Sequence, residues 1–345
     1  MIRVLMSAIL LFGMLSSTFA QKKLEQLFYY VDSDDCFESF SQHLEQVTIV
    51  APQSYRIDAQ GNISGRAPSR LVSMAKAHDI GVMPLVVNPG FDPAIIHAVL
   101  DDSVAAKNAI RQMVELCKEN AFLGMQFDFE HVHVDYKENF TQFFEKTAAT
   151  FHENGFLLTA AIFPRTSGQP GDDAYSKWLF ESKTGFYDYK ALSEAADFLS
   201  IMTYEQHYHT TPPGPVAGLP WVEKSIQYLL TQMPAEKVSL GIPFYSYHWF
   251  PSTEAHESRI GGRGMGFAQA MTILKENGAG LEWNGEQQVA FSAFEKDGVF
   301  QHLYIENAKS LRPKLNLIHK YGLRGFSVWR LGLEDPEVWN LLSDR

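Results

Sequence analysis

A chain of 345 residues that is 46% hydrophobic and 20% charged, with 25 Phe, 14 Tyr and 6 Trp, can bury a large core, which excludes an intrinsically disordered protein. Its 40 acidic against 29 basic residues give a net charge of −11, which excludes a partner bound chiefly through a nucleic-acid backbone. Cys36 and Cys117 are too few for a disulfide scaffold and stand in no metal-type spacing, so both are read as structural and no metal is expected.

In chain order, Met1-Ile2-Arg3 supplies a positive segment, Val4 to Met14 is apolar, and Thr18-Phe19-Ala20 is a small-residue cleavage site. These are the parts of an export signal cleaved near Ala20. The apolar stretch is too short to span a bilayer, and no later one reaches the roughly 18 apolar residues a spanning helix needs. The protein is therefore expected to be exported, periplasmic or secreted, without a transmembrane segment. Beyond it, eight short apolar runs occur at 27–31, 47–51, 82–88, 124–130, 157–163, 198–204, 238–245 and 325–331. Helical patterns at 68–78, 104–120, 139–153, 221–232 and 308–321 lie between them. This alternation predicts an α/β protein, a (β/α)8 TIM barrel. The unit length breaks once, between strands seven and eight, where a helix-like stretch at 266–276 and strand-like runs at 281–283, 289–294 and 299–304 predict a small α+β insertion. The expected organisation is a signal in 1–20, barrel strands one to seven in 21–249, the insertion in 250–307, and strand eight with its flanking helices in 308–345. A monomer is expected.

The fourth run reads Gly124-Met125-Gln126-Phe127-Asp128-Phe129-Glu130, and the period of two along a strand sorts it into two sets. Met125, Phe127 and Phe129 share one face and are expected against the outer helices. Gln126, Asp128 and Glu130 share the other and are expected inside the barrel, at the strand end where such barrels place their chemistry. Two acids on one face, about 7 Å apart along the strand, cannot both ionise freely in a confined site, so at least one pKa should rise. A carboxylic acid kept protonated near neutral pH is what glycosidic bond cleavage requires of its proton donor. The plainer reading is a solvated or salt-bridged strand end, and inward acids flanked by Met and Phe count against it.

Segments on four strands together resemble a known family. Leu123 to Glu130 resembles the DGxDxDxE signature on the fourth strand of glycoside hydrolase family 18, the chitinase-like hydrolases. Met202-Thr203-Tyr204-Glu205 resembles the family's MxYD on the sixth strand, Leu240 to Tyr245 its LGxPxY on the seventh, and Gly325 to Trp329 its GxxxW on the eighth. Met202 to His207 and Trp329 to Pro336 are also similar to the subgroup that includes spore-cortex-lytic N-acetylglucosaminidases. The resemblance, which runs from about Leu27 to Trp339, implies retaining, substrate-assisted hydrolysis of a β-N-acetylglucosaminide in an aminoglycan, without cofactor. The substrate is a polysaccharide or oligosaccharide containing N-acetylglucosamine, with peptidoglycan favoured over chitin. The resemblance further implies Glu130 as general acid/base, Asp128 as the residue orienting the 2-acetamido group, Tyr204 as the hydroxyl holding its carbonyl, and Trp329 as the aromatic floor beneath the sugar.

Three motif positions depart from the family: Leu123 replaces the first acid, Gln126 the middle one, and Glu205 stands for the acid of MxYD. Gln126 keeps hydrogen-bonding capacity without charge, so a shifted pH optimum is expected. Further expected sugar contacts are Tyr30, taken as inward beside Phe28, Asn88 at the tip of strand three, Gln126 and Glu205. Asn88 could instead cap the Pro89-Gly90 turn. Two rival classes stay open. One is a sugar-binding lectin on the same barrel, against which Glu130 counts. The other is a metal-dependent amidohydrolase using His131 with His133 and His207 with His209.

Overall fold

The computed structural model describes residues 24–251 and 260–343, so the expected export signal at 1–20 lies outside the described residues. Eight parallel strands form a ring: β1 (Glu25–Tyr30), β2 (Ile49–Ile57), β3 (Leu85–Val87), β4 (Gly124–Asp128), β5 (Leu157–Ile162), β6 (Phe198–Ile201), β7 (Val238–Pro243) and β8 (Gly325–Trp329). Each pairs with the next, and β8 returns to β1 through Gln26 opposite Phe326, which closes the barrel. The predicted barrel is thus the observed one. The third run divides into Gly81–Val82 and Leu85–Val87 around Pro84, which has no N–H to give the ladder.

Local chemistry sets where the outer helices begin and end. Asp102 accepts from the Val104 N–H at 2.8 Å and starts Ser103–Asn120. Asn307 and Ser310 form a reciprocal capping box on Ala308–Tyr321, whose C-terminus closes on Gly322 at φ 63°. Helices Asp34–Gln42 and Pro93–Asp101 also flank the ring and were not among the predicted ones. The main core lies between ring and helices. Phe127 packs there on Phe129, Phe143 and Phe144, with ring centroids 4.7, 5.5 and 5.6 Å away. Cys36 and Cys117 are buried in the same layer as free thiols.

Between β7 and β8 the chain builds a second, antiparallel sheet from Tyr245–Pro251, Ile260–Gly266, Glu282–Asn284, Val289–Lys296 and Val299–Ile305. Helix Phe267–Glu276 completes it around a small core that includes Met265, Leu274, Leu303 and Ile305. Its first strand starts directly beyond Phe244, which brings Tyr245 and Tyr247 over the barrel mouth. Glu306 and Lys314 pair at 2.7 Å while only 5% and 1% exposed, fastening the end of this sheet to a barrel helix.

Candidate active site

Strand parity on β4 is as expected. Met125, Phe127 and Phe129 pack toward the helices, while Gln126 and Asp128 are buried on the inner side and Glu130 follows at the rim. Gln126 lies one layer below the opening rather than on its wall. Its Nε2 donates to Thr159 and Ser200 at 3.0 Å each, and its Oε1 accepts from the Tyr29 hydroxyl at 2.7 Å. Ser200 continues to Ser327 at 2.8 Å, and Ser327 to Ser239 at 2.6 Å. Each of these side chains comes from a different strand, so the barrel interior is floored by a hydrogen-bonded layer rather than by hydrocarbon. A charged side chain at position 126 would have to be neutralised within that layer; the amide satisfies it as it stands.

Above the floor opens a cleft of about 840 Å³, lined among others by Tyr29, Gln53, Asp128, Glu130, His131, Lys183, Tyr204, Glu205, Tyr245 and Trp329. Five of the residues predicted for chemistry or sugar contact thus meet at one surface: Asp128, Glu130, Tyr204, Glu205 and Trp329. Tyr204 is placed by a close approach of two strands. A Cβ on Gly241 of β7 would stand 2.1 Å from the Ile201 carbonyl oxygen and 3.0 Å from the Tyr204 ring, so this position requires glycine. Trp329 ends β8 and packs on Tyr29 with ring centroids 5.4 Å apart. Glu205 adopts φ 62°, in the left-handed region that costs a non-glycine residue roughly 1 kcal/mol or more. In this conformation its Oε1 accepts from the hydroxyls of Tyr245 at 2.8 Å and Tyr247 at 3.1 Å. The second sheet therefore holds one of the barrel's own acids.

Besides Gln126, which lies beneath the cleft rather than on its wall, two more expected sugar contacts are corrected. Tyr30 and Phe28 face the helices: Phe28 packs on Phe244 and Trp339, and the Tyr30 hydroxyl reaches Asp32 at 3.3 Å. Leu27 and Tyr29 are the inward pair on β1, and Tyr29 takes the place expected for Tyr30. Asn88 is fully buried off the cleft wall, where it holds the chain that carries Glu130. Its Oδ1 accepts the Glu130 N–H at 3.1 Å, and its Nδ2 donates to the Glu130 and Asp92 carbonyls at 3.1 and 3.0 Å. The bond to Asp92 also spans the Pro89-Gly90 turn, so the capping role and the hold on Glu130 belong to one side chain.

Burial sets the electrostatics. It raises the Asp128 carboxyl above the ordinary range, against a hydrogen bond from Gln53. It raises Glu130 as well, with the Asp128 charge adding to the effect and Lys183 opposing it. Glu205 is raised by burial, and the two tyrosine hydroxyls work against that. Tyr204 is pushed well above the usual phenol range, again by burial first, and so stays a hydrogen-bond donor. Burial thus favours the protonated form of Glu130, which faces a cleft that also offers a second carboxyl, a phenol and an indole.

The paired histidines do not converge. His131 and His209 reach the cleft, whereas His133 turns to Asp135 at 3.2 Å and His207 to the Pro212 carbonyl at 3.1 Å. Among the described residues no three His, Cys, Asp or Glu are grouped to hold a metal ion. Sequence reading missed Lys183, Gln53 and Arg165, which also line the cleft. Lys183 and Arg165 come from the connection after β5, Gln53 from β2, and none stands in a recognisable pattern.

Comparison with known proteins agrees with this geometry. The model of the glycosyl hydrolases family 18 matches residues 26–334. The chain is 30% identical over 305 residues to the cortical fragment-lytic enzyme of Bacillus subtilis (strain 168), covering 87% of this chain and 68% of that protein. Among solved structures, a chitinase from Chromobacterium violaceum ATCC 12472 superposes with a TM-score of 0.83 at 27% identity, covering 93% of this chain and 98% of the other. The spore cortex-lytic enzyme SleL of Bacillus megaterium QM B1551 shares the fold, with a TM-score of 0.82 at 24% identity over 93% and 73% of the two chains.

Proposed function

The chain belongs to family 18 of the glycosyl hydrolases and is a glycoside hydrolase, and from that premise we propose that it cleaves β-N-acetylglucosaminide bonds of peptidoglycan by a retaining, substrate-assisted route. The observation that carries this reading is the convergence of Asp128, Glu130, Tyr204 and Trp329 on one cleft, where burial favours the protonated form of Glu130. Glu130 gives its proton to the glycosidic oxygen as the bond from that oxygen to the anomeric carbon breaks. The carbonyl oxygen of the sugar's own 2-acetamido group attacks the same carbon and forms an oxazolinium, for which Asp128 accepts the N–H hydrogen bond. Tyr204 donates to the acetamide oxygen, and the Trp329 ring carries the apolar face of the sugar. Water then attacks the anomeric carbon as its bond to the acetamide oxygen breaks, which reopens the oxazolinium, and gives a proton back to Glu130, leaving the starting configuration. Carboxylate separation does not forecast stereochemistry in enzymes of this kind.

Similarity to a cortical fragment-lytic enzyme supports peptidoglycan over chitin. Export after cleavage near Ala20 would bring the enzyme to such a wall polymer, and N-terminal sequencing of the exported protein should start at Gln21. The activity is tested by incubating the protein with purified peptidoglycan and with chitooligosaccharides, then reading new reducing ends by mass spectrometry and the first-formed anomer by NMR. Release of N-acetylglucosamine ends in the β configuration is expected. Binding without turnover would instead make the chain a lectin.

A further inference from the structure

We propose that Lys183 is a specificity-determining residue that holds a carboxylate carried at or near the 3-O-lactyl group of a muramoyl sugar next to the scissile bond. This rests on the peptidoglycan reading above. Lys183 lies in the helical turn Phe180–Thr184, which follows helix Ala174–Leu179 in the long connection after β5, and it lines the cleft opposite the ends of β4 and β6. Its Nζ stands 5.5 Å from the Trp178 ring centre and 6.0 Å from that of Tyr208, so two aromatic faces cradle the ammonium. No ion pair of Lys183 is formed among the described residues.

The groups facing it explain why the cation remains unneutralised. Glu130 and Glu205 both feel its charge, but burial holds both carboxyls above the ordinary range, and Glu205 already accepts two tyrosine hydroxyls. His131 is driven toward its neutral form by burial and by Lys183 itself. Arg165, the other guanidinium or ammonium group on the cleft wall, is occupied by the Tyr189 ring at 4.3 Å and the Tyr187 carbonyl at 3.2 Å. A chain with a net charge of −11 thus presents to its substrate an ammonium that forms no ion pair among the described residues, beside the carboxyl that serves as proton donor. A cation there opposes Glu130's protonation, so its presence calls for another return. A lactyl group offers matching chemistry: a methyl for the aromatic Tyr208 on the cleft wall and, free or extended by a peptide, a carboxylate for the ammonium.

The test compares wild type, Lys183→Met and Lys183→Arg on four soluble substrates. These are chitooligosaccharides, peptide-free strands alternating N-acetylglucosamine with N-acetylmuramic acid, the same strands with the lactyl carboxyl converted to a methylamide, and strands bearing stem peptides. Lys183→Met should lower the ratio of kcat/KM on anionic strands to that on chitooligosaccharides by about tenfold, chiefly through KM, as loss of one charge-assisted contact would. Lys183→Arg should restore most of it. Wild type should lose the same factor on the methylamide, where Lys183→Met should lose nothing more. A drop confined to peptide-bearing strands assigns the carboxylate to the peptide. Equal losses on neutral and anionic substrates, or none, overturn the proposal. Failure of wild type to cleave any muramoyl strand while it cleaves chitooligosaccharides overturns the peptidoglycan reading and this inference together.

Discussion

Replacing Asn88 by leucine, a residue of similar volume, removes the side chain that fixes the backbone of Glu130 while leaving every group on the cleft wall in place. Three hydrogen bonds of 3.0 to 3.1 Å are lost inside a fully buried site. The Glu130 N–H is then orphaned at roughly 1–3 kcal/mol, and two carbonyls lose a partner at a smaller cost, giving about 2–4 kcal/mol in all. At roughly 2 °C per kcal/mol for a domain of this size, Tm should fall by about 4–8 °C. A carboxyl released from such a hold drifts from the glycosidic oxygen, and a shift near 1 Å can cost about 100-fold in rate. Because Asn88 is buried off the wall of the main cleft, the loss should appear in kcat with KM little changed, and Asn88→Asp, which keeps the acceptor for the Glu130 N–H, should recover part of it. Steady-state kinetics on chitooligosaccharides at a temperature well below the variant's Tm separate the two effects. A stable Asn88→Leu protein with wild-type kcat, or one whose defect lies in KM alone, would refute the positioning role.

Four further outcomes are expected. Glu130→Gln should retain oligosaccharide binding by calorimetry while losing about 1,000-fold or more in kcat, since the amide has no proton to give; hydrolysis at the wild-type rate would remove Glu130 from the chemistry. Asp128 has a raised folded-state pKa, so it contributes stability that is complete below its unfolded value and is lost as pH rises through the folded one. Asp128→Asn should therefore flatten the fall of Tm between acidic and alkaline buffers, and an unaltered slope in pH-dependent calorimetry would contradict the assigned burial. Lys314→Met should cost about 3–5 kcal/mol in urea titration, because it strands Glu306 as an unpaired buried charge; a change within 1 kcal/mol would show that the pair is dispensable. Trp329→Ala should raise KM for oligosaccharides several-fold with a smaller effect on kcat, and an unchanged KM would take the indole off the sugar's path.

The barrel, five of its helices and the parity of β4 were legible because each rests on a local period: apolar runs separated by helical stretches, and a strand whose two faces differ sharply in polarity. Asp128, Glu130, Tyr204 and Trp329 followed, since all four stand at strand ends within recognisable motifs. β1 carried no such contrast. Leu27, Phe28, Tyr29 and Tyr30 are apolar or aromatic in succession, so either pair could face inward, and closure of the ring with the Tyr29 hydroxyl on Gln126 settled which one does. The same holds for Asn88, whose work depends on β3 lying beside β4, and for Glu205, which is held by hydroxyls from a separate sheet. Lys183 has no pattern at all, because its meaning is the distance from an ammonium on one loop to carboxyls on two strands. Periodicity records which way a side chain points from its own element; only the packed chain brings charges distant in sequence within reach of one another.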